Sequence, residues 1–267
     1  MIDKFSMSRV LFLIRRYFNE NARQLLMAVG VVFGIMLFFA MTINHAMGSE
    51  YTGGGAFLWV LLSIVAGMSL IVACSLTFSS MSTKSKRIVA MMVPASKAEK
   101  FVSLLLIYNV IAPIAIIICA LLADTLGSVI FLHSPYFFAF FDEVSEFLQN
   151  NMKSNDEWEI LFALIAFIGA PFVCSMATYT LGSALWPKKS FIKTFCALFA
   201  IQMLIPLVLP ADLFLHLNCW LRSLHWDNHH LIIWGGIVAF YLFAACIYLL
   251  AWLRYRSTQL VQKLMMD

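Results

Sequence analysis

Apolar residues in this chain come in long runs, and the charged residues are confined to the shorter segments between them. Six runs stand out, at about 25–46, 56–78, 102–123, 158–181, 191–210 and 231–253. A helix rises about 1.5 Å per residue, so each run is long enough to cross a hydrocarbon layer about 30 Å thick. The pattern predicts an all-α membrane protein with six transmembrane helices in a single domain over 1–267. The first run is too long for the core of a signal peptide and lacks a convincing small-residue cleavage site. It is read as a retained first span.

The segment before that run has a different periodicity. At 100° per residue, Val10, Leu11, Ile14, Tyr17 and Phe18 share one face, and Arg9, Arg16, Glu20 and Arg23 share the opposite one. This predicts an interfacial helix within 1–24, its apolar side in lipid and its arginines toward headgroups. The plainer alternative is that it continues the first span with snorkelling arginines.

Charge sets the orientation. Of the 18 Lys and Arg residues, 16 fall in the N-terminus, the second and fourth loops and the C-terminus. Lys153 and Arg222 alone fall on the other side. Positive charge stays cytoplasmic, so both termini are expected inside and the number of spans even. Most carboxylates, Asp124 among them, sort to the outer segments, and the spans are expected to hold no Asp, Glu or Arg near the bilayer centre. That counts against a proton relay, which needs buried ionisable groups. Sodium coupling through carbonyls and hydroxyls stays open. In the first span, Gly30 and Gly34 have a spacing that allows close helix contact.

Composition agrees with this. The chain is 62% hydrophobic and 12% charged, with a mean hydropathy of +0.88. That excludes a soluble globular domain. The net charge of +4 follows from the positive inner face and does not imply nucleic-acid binding. Cys74, Cys119, Cys174, Cys196 and Cys246 fall inside spans, so no disulfide framework is expected.

The segments between spans hold the candidate chemistry. The third loop, about 124–157, contains an aromatic-rich stretch expected to lie at the outer interface. In the fifth loop, His225 and His229 have the i, i+4 spacing of metal ligands on a helix, with Asp227 and His230 close by. Outer-loop histidines are mostly solvated or interfacial, so no metal site is assigned to them. No GxxxxGK[ST] loop, HExxH or GxSxG occurs. The chain is therefore expected to bind no ATP itself, to need no cofactor and to be no enzyme.

The second loop is the densest in information. Lys84, Lys86 and Arg87 lead into an apolar run containing Ile88, Met91 and Met92. Pro94 then breaks the helix, because it has no N–H to donate. Ser96 and Glu99 form the pattern of a capping box that starts the next helix. Its plain reading is an anchoring loop with a good cap. Its functional reading is a cytoplasmic knob with adaptable methionines that docks on a partner.

A basic stretch running into MMVPASKAEKF, residues 91–101, resembles the second-loop signature of bacterial ABC-2 type permeases, the membrane subunits of ATP-binding-cassette transporters. Close versions read roughly Leu-Pro-Ala-Ser-x-x-Glu-Lys-Phe; here Val93 replaces the leucine. The resemblance implies a permease subunit in the bacterial cytoplasmic membrane, acting as an exporter and driven by a separate ATPase subunit that binds the ATP. It also implies a dimer with a second copy or homologue. Lys84, Lys86, Arg87, Ile88, Met91 and Met92 would make the coupling contact with the ATPase, followed by the break and cap at Pro94, Ser96 and Glu99. Two other readings stay open: a self-contained secondary transporter or channel, and a membrane-embedded lipid-modifying enzyme.

Overall fold

The computed structural model describes residues 5–47, 54–83, 88, 92–131, 157–208 and 229–264. The described residues are helical, with no strand among them. In chain order the helices are α1 (Met7–Met47), α2 (Gly54–Ser75), α3 (Lys97–Leu106), α4 (Ala112–Phe131), α5 (Glu157–Leu185), α6 (Ser190–Val208) and α7 (His229–Leu264). A 3-10 turn, Ser79–Met81, follows α2, and a π-helical turn, Ile107–Ile111, joins α3 to α4.

The described residues of the six apolar stretches are helical, apart from residues 76–78, which turn after α2. Among the described residues four segments are long and apolar enough to cross a membrane: Met7–His45, Phe57–Met81, Lys97–Phe131 and Trp234–Ser257. At most 28% of the most apolar stretch of any of these is buried within the protein. Apolar helices left so open need lipid around them, and their internal hydrogen bonds satisfy the backbone there. The chain is thus a multi-pass membrane protein.

It divides into two compact units. The first comprises Met1–Cys74 and Met92–Glu157. Here α1 lies along both α3 and α4. The π-turn has a local cause: Pro113 lacks an N–H, and its ring would crowd the carbonyl one turn earlier. The ladder widens instead, and the Ala112 N–H donates to the Ile107 carbonyl. The Cys74 thiol comes within 3.9 Å of the Tyr108 carbonyl and 3.5 Å of Asn109 Oδ1 beside this turn.

The second unit comprises Ser75–Met91 and Trp158–Asp267. Small residues let α5 and α7 meet closely: Ala177, Ala244 and Ile247 form a buried cluster flanked by Val173, Cys174, Leu181 and Tyr248. Residues 186–189 make a short turn between α5 and α6, with Lys189 left-handed at φ 54°. Phe191, Phe195 and Phe199 recur at helical spacing on α6 and stack, with the Tyr179 ring extending the row.

Two expectations need correction. The amphipathic segment is not a separate interfacial helix. It is the first part of one 41-residue helix, α1, about 60 Å long. Nor does its apolar face lie wholly in lipid: Val10 is buried and the Tyr17 hydroxyl bonds that of Tyr108, whereas Leu11 and Phe12 are exposed. Contact with α3 holds this stretch. The third span, expected at 102–123, also runs further, because the helix continues through Asp124 to Phe131. Asp124 is therefore a fully buried residue of a helix that can span the membrane, not an outer-loop residue.

Candidate partner-coupling segment

Lys84, Lys86, Arg87 and Met91 lie outside the described residues. Ile88 and Met92 are helical and exposed, Met92 at 77%. The division between the two units falls between Met91 and Met92, so the chain passes from one unit to the other within this segment.

Local chemistry orders the chain beyond Pro94. The Ala95 N–H donates to the Val93 carbonyl at 2.9 Å, a tight turn. Ser96 is extended, with φ −65° and ψ 157°, and caps α3. Its Oγ accepts from the Glu99 N–H at 3.2 Å, and Glu99 Oε2 accepts from the Ser96 N–H at 2.8 Å. The expected capping box is present in full.

Glu99 does more than cap α3. It is completely buried, and its other oxygen, Oε1, accepts the Ser6 N–H at 2.9 Å. Ser6 is where α1 begins, since its carbonyl receives the N–H groups of Arg9 and Val10. One carboxylate thus serves the N-termini of two helices, where the partial charge is positive and favours an anion. Arg9 Nη1 stands 3.5 Å from the same oxygen. Farther along, the Tyr17 ring on α1 meets the ring of Tyr108, in the π-turn after α3, edge-on. Sequence reasoning found Glu99 as a cap and missed its second partner. The one sequence signal was Ser6 standing just ahead of the amphipathic stretch.

Glu99 lies in the first turn of α3. Its carboxylate accepts a backbone N–H at each of two helix starts. Glu99→Gln leaves one acceptor oxygen where two are used, and is expected to lower the unfolding temperature, as thermal unfolding in detergent would show. Ser96→Ala is a purely local change and is expected to cost about 0.5–2 kcal/mol.

The histidine constellation does not assemble into a described site. His225 lies outside the described residues, and for His229 and His230 only the start of α7 is described. Among the described residues no group of three or more His, Cys, Asp or Glu is placed to hold a metal. Comparison with protein families, with curated proteins and with solved structures returns no match.

Proposed function

We propose that this chain is the permease subunit of a bacterial ABC-2 type transporter. It crosses the cytoplasmic membrane six times with both termini inside, works as a dimer with a second copy or homologue, and exports its cargo. A separate ATPase binds and hydrolyses ATP and docks on the segment from Lys84 to Met92. One observation supports this reading most: a segment of basic and apolar sequence, in which Ile88 and Met92 are exposed, leads through a Pro break into a helix start that Glu99 ties to α1. Force applied to such a segment passes into two long helices at once. A partner shifts an equilibrium between conformations only through contacts that differ between them, and a tied helix pair can carry that difference.

Co-purification tests the core of the reading. An ATPase should accompany the tagged chain from its native membrane, and the chain free of it should neither bind nor hydrolyse ATP. A preparation that is active in ATP hydrolysis without a second protein refutes the proposal. Topology is tested by a single cysteine at position 86 in a cysteine-free background. Membrane-impermeant thiol reagents should reach it in inverted vesicles and not in intact cells. Labelling from outside would sink the six-span arrangement.

The buried Asp124 favours a second reading, a self-contained ion-coupled transporter, because intramembrane carboxylates mark ion pathways. Transport by the purified chain in vesicles without ATPase or ATP would decide for it.

A further inference from the structure

The four serine and threonine hydroxyls of α5, on Ser175, Thr178, Thr180 and Ser183, each donate to a carbonyl three or four residues back. A hydroxyl inside an apolar helix is commonly satisfied in this way. Ser190, at the start of α6, is not. It is 6% exposed, and its Oγ has no hydrogen-bond partner among the described residues. The residues three and four places back lie in the turn, so no helical carbonyl stands behind it. Thr194, one turn further along the same face, is 4% exposed and equally unpartnered. Buried polar groups are rarely left so, and an exception calls for an explanation.

Ser190 stands where α6 itself lacks acceptors. The Lys193 N–H donates to the Lys189 carbonyl at 3.2 Å, which is the first bond of the helix. The N–H groups of Ser190, Phe191 and Ile192 come before it and have no acceptor within the helix. A cap would come from the side chain of Lys189, but an ammonium group accepts nothing. Helical side chains lean toward the N-terminus, which sets the Ser190 hydroxyl level with those N–H groups. Lys188, Lys189 and Lys193 are exposed around the same turn.

Every group gathered here is a donor, and the missing component is an acceptor. The lysines could serve the last carbonyls of α5, but that leaves the hydroxyl and the N–H groups unmet. A tetrahedral oxyanion has oxygens enough for all of them and is favoured at the positive end of a helix. Trp186 and Ile192 are exposed beside the turn, an apolar rim that suits the glycerol and acyl part of a lipid. We propose that the first turn of α6, with Lys189, Ser190 and Lys193, binds a phosphate group, carried in the membrane by an anionic phospholipid. The site stands on these residues whether or not an ATPase drives the protein.

The test is thermal unfolding of the purified full-length protein in detergent. Dihexanoyl phosphatidylglycerol is titrated beside dihexanoylglycerol, which lacks the phosphate. Sodium phosphate is titrated against sodium chloride at constant ionic strength. Phosphatidylglycerol should raise the unfolding temperature saturably, and dihexanoylglycerol should not. Ser190→Ala should raise the half-saturating concentration at least fivefold. Arg256→Gln removes an exposed charge elsewhere and should leave that concentration within about twofold, since the site is not a diffuse basic surface. Lys189→Asp supplies its own acceptor at the cap and should abolish the response. A response to inorganic phosphate to which the lipid adds nothing assigns the same site to free phosphate. If neither source of phosphate shifts the natural protein, the site does not exist. An effect of Arg256→Gln as large as that of Ser190→Ala also overturns the proposal. Should Ser190→Ala fail to fold, Lys189→Asp decides, and a response it retains in full overturns the proposal.

Discussion

Replacing Met91 and Met92 together with Asp is expected to abolish capture of the ATPase and the hydrolysis that depends on it. Met92 is 77% exposed and Ile88 43% exposed. The apolar run they belong to is far too short to span a bilayer. In a docked interface these side chains would be desolvated, and a carboxylate in their place would be buried without a counter-charge, which is strongly unfavourable. Reversing Lys86 and Arg87 to Glu should weaken assembly less, because charges at an interface rim act mainly on encounter rate and are screened by salt. Pull-down of the ATPase with each variant, beside an unfolding control in detergent, is the measurement. Ser96→Ala is the contrast, since it loosens the start of α3 without touching the docking surface. If the double Asp variant retains full assembly and full coupled hydrolysis, the segment is only a membrane anchor. Retained assembly with lost stimulation would place these residues in transmission instead of docking.

Gly182→Val is expected to have the largest effect on stability, disrupting the contact of α5 with α6. A Cβ at Gly182 would overlap the Thr194 side chain, with Cγ2 and Cβ at 2.6 and 2.8 Å from its position. Thr194 is only 4% exposed and sits on a helix joined to α5 by a very short turn, so it has little freedom to withdraw. Overpacking of this kind costs about 1–3 kcal/mol. Gly182→Ala should be damaging but milder. In its background Thr194→Ala removes two of the three overlapping atoms and should restore part of the loss. The coupling measured by the double-mutant cycle should therefore be clearly favourable. Additive losses would mean that Gly182 and Thr194 do not meet. Gly34→Ala is the control, because nothing among the described residues lies within 4 Å of that position and the change should be nearly neutral.

Both expected results separate what is local from what is not. The six apolar stretches, the break at Pro94 and the capping box of Ser96 and Glu99 were legible in the sequence. They depend on hydropathy over about 20 residues or on partners three residues apart. The alternation of basic segments was equally plain, and the orientation drawn from it belongs to the proposed function.

Tertiary structure alone decided the rest. Ser6 meets Glu99 across 93 residues of chain, and no periodicity encodes that distance. Gly30 and Gly182 both read as small residues in apolar helices, yet the first has no described residue within 4 Å and the second faces Thr194. Lipid and a neighbouring helix are both apolar surroundings, so hydropathy does not tell the face that meets protein from the face that meets lipid. Asp124 was misread for a related reason. A carboxylate just past a stretch of bilayer length reads as a boundary in the sequence, whereas burial against α1 carries the helix seven residues beyond it, to Phe131. Likewise the amphipathic start of the chain read as a surface helix until the fold buried Val10 and set Tyr17 against Tyr108 of the π-turn. Local sequence determined where helices form and begin; the three-dimensional fold determined which of their faces are buried, and with them which polar groups are placed to act.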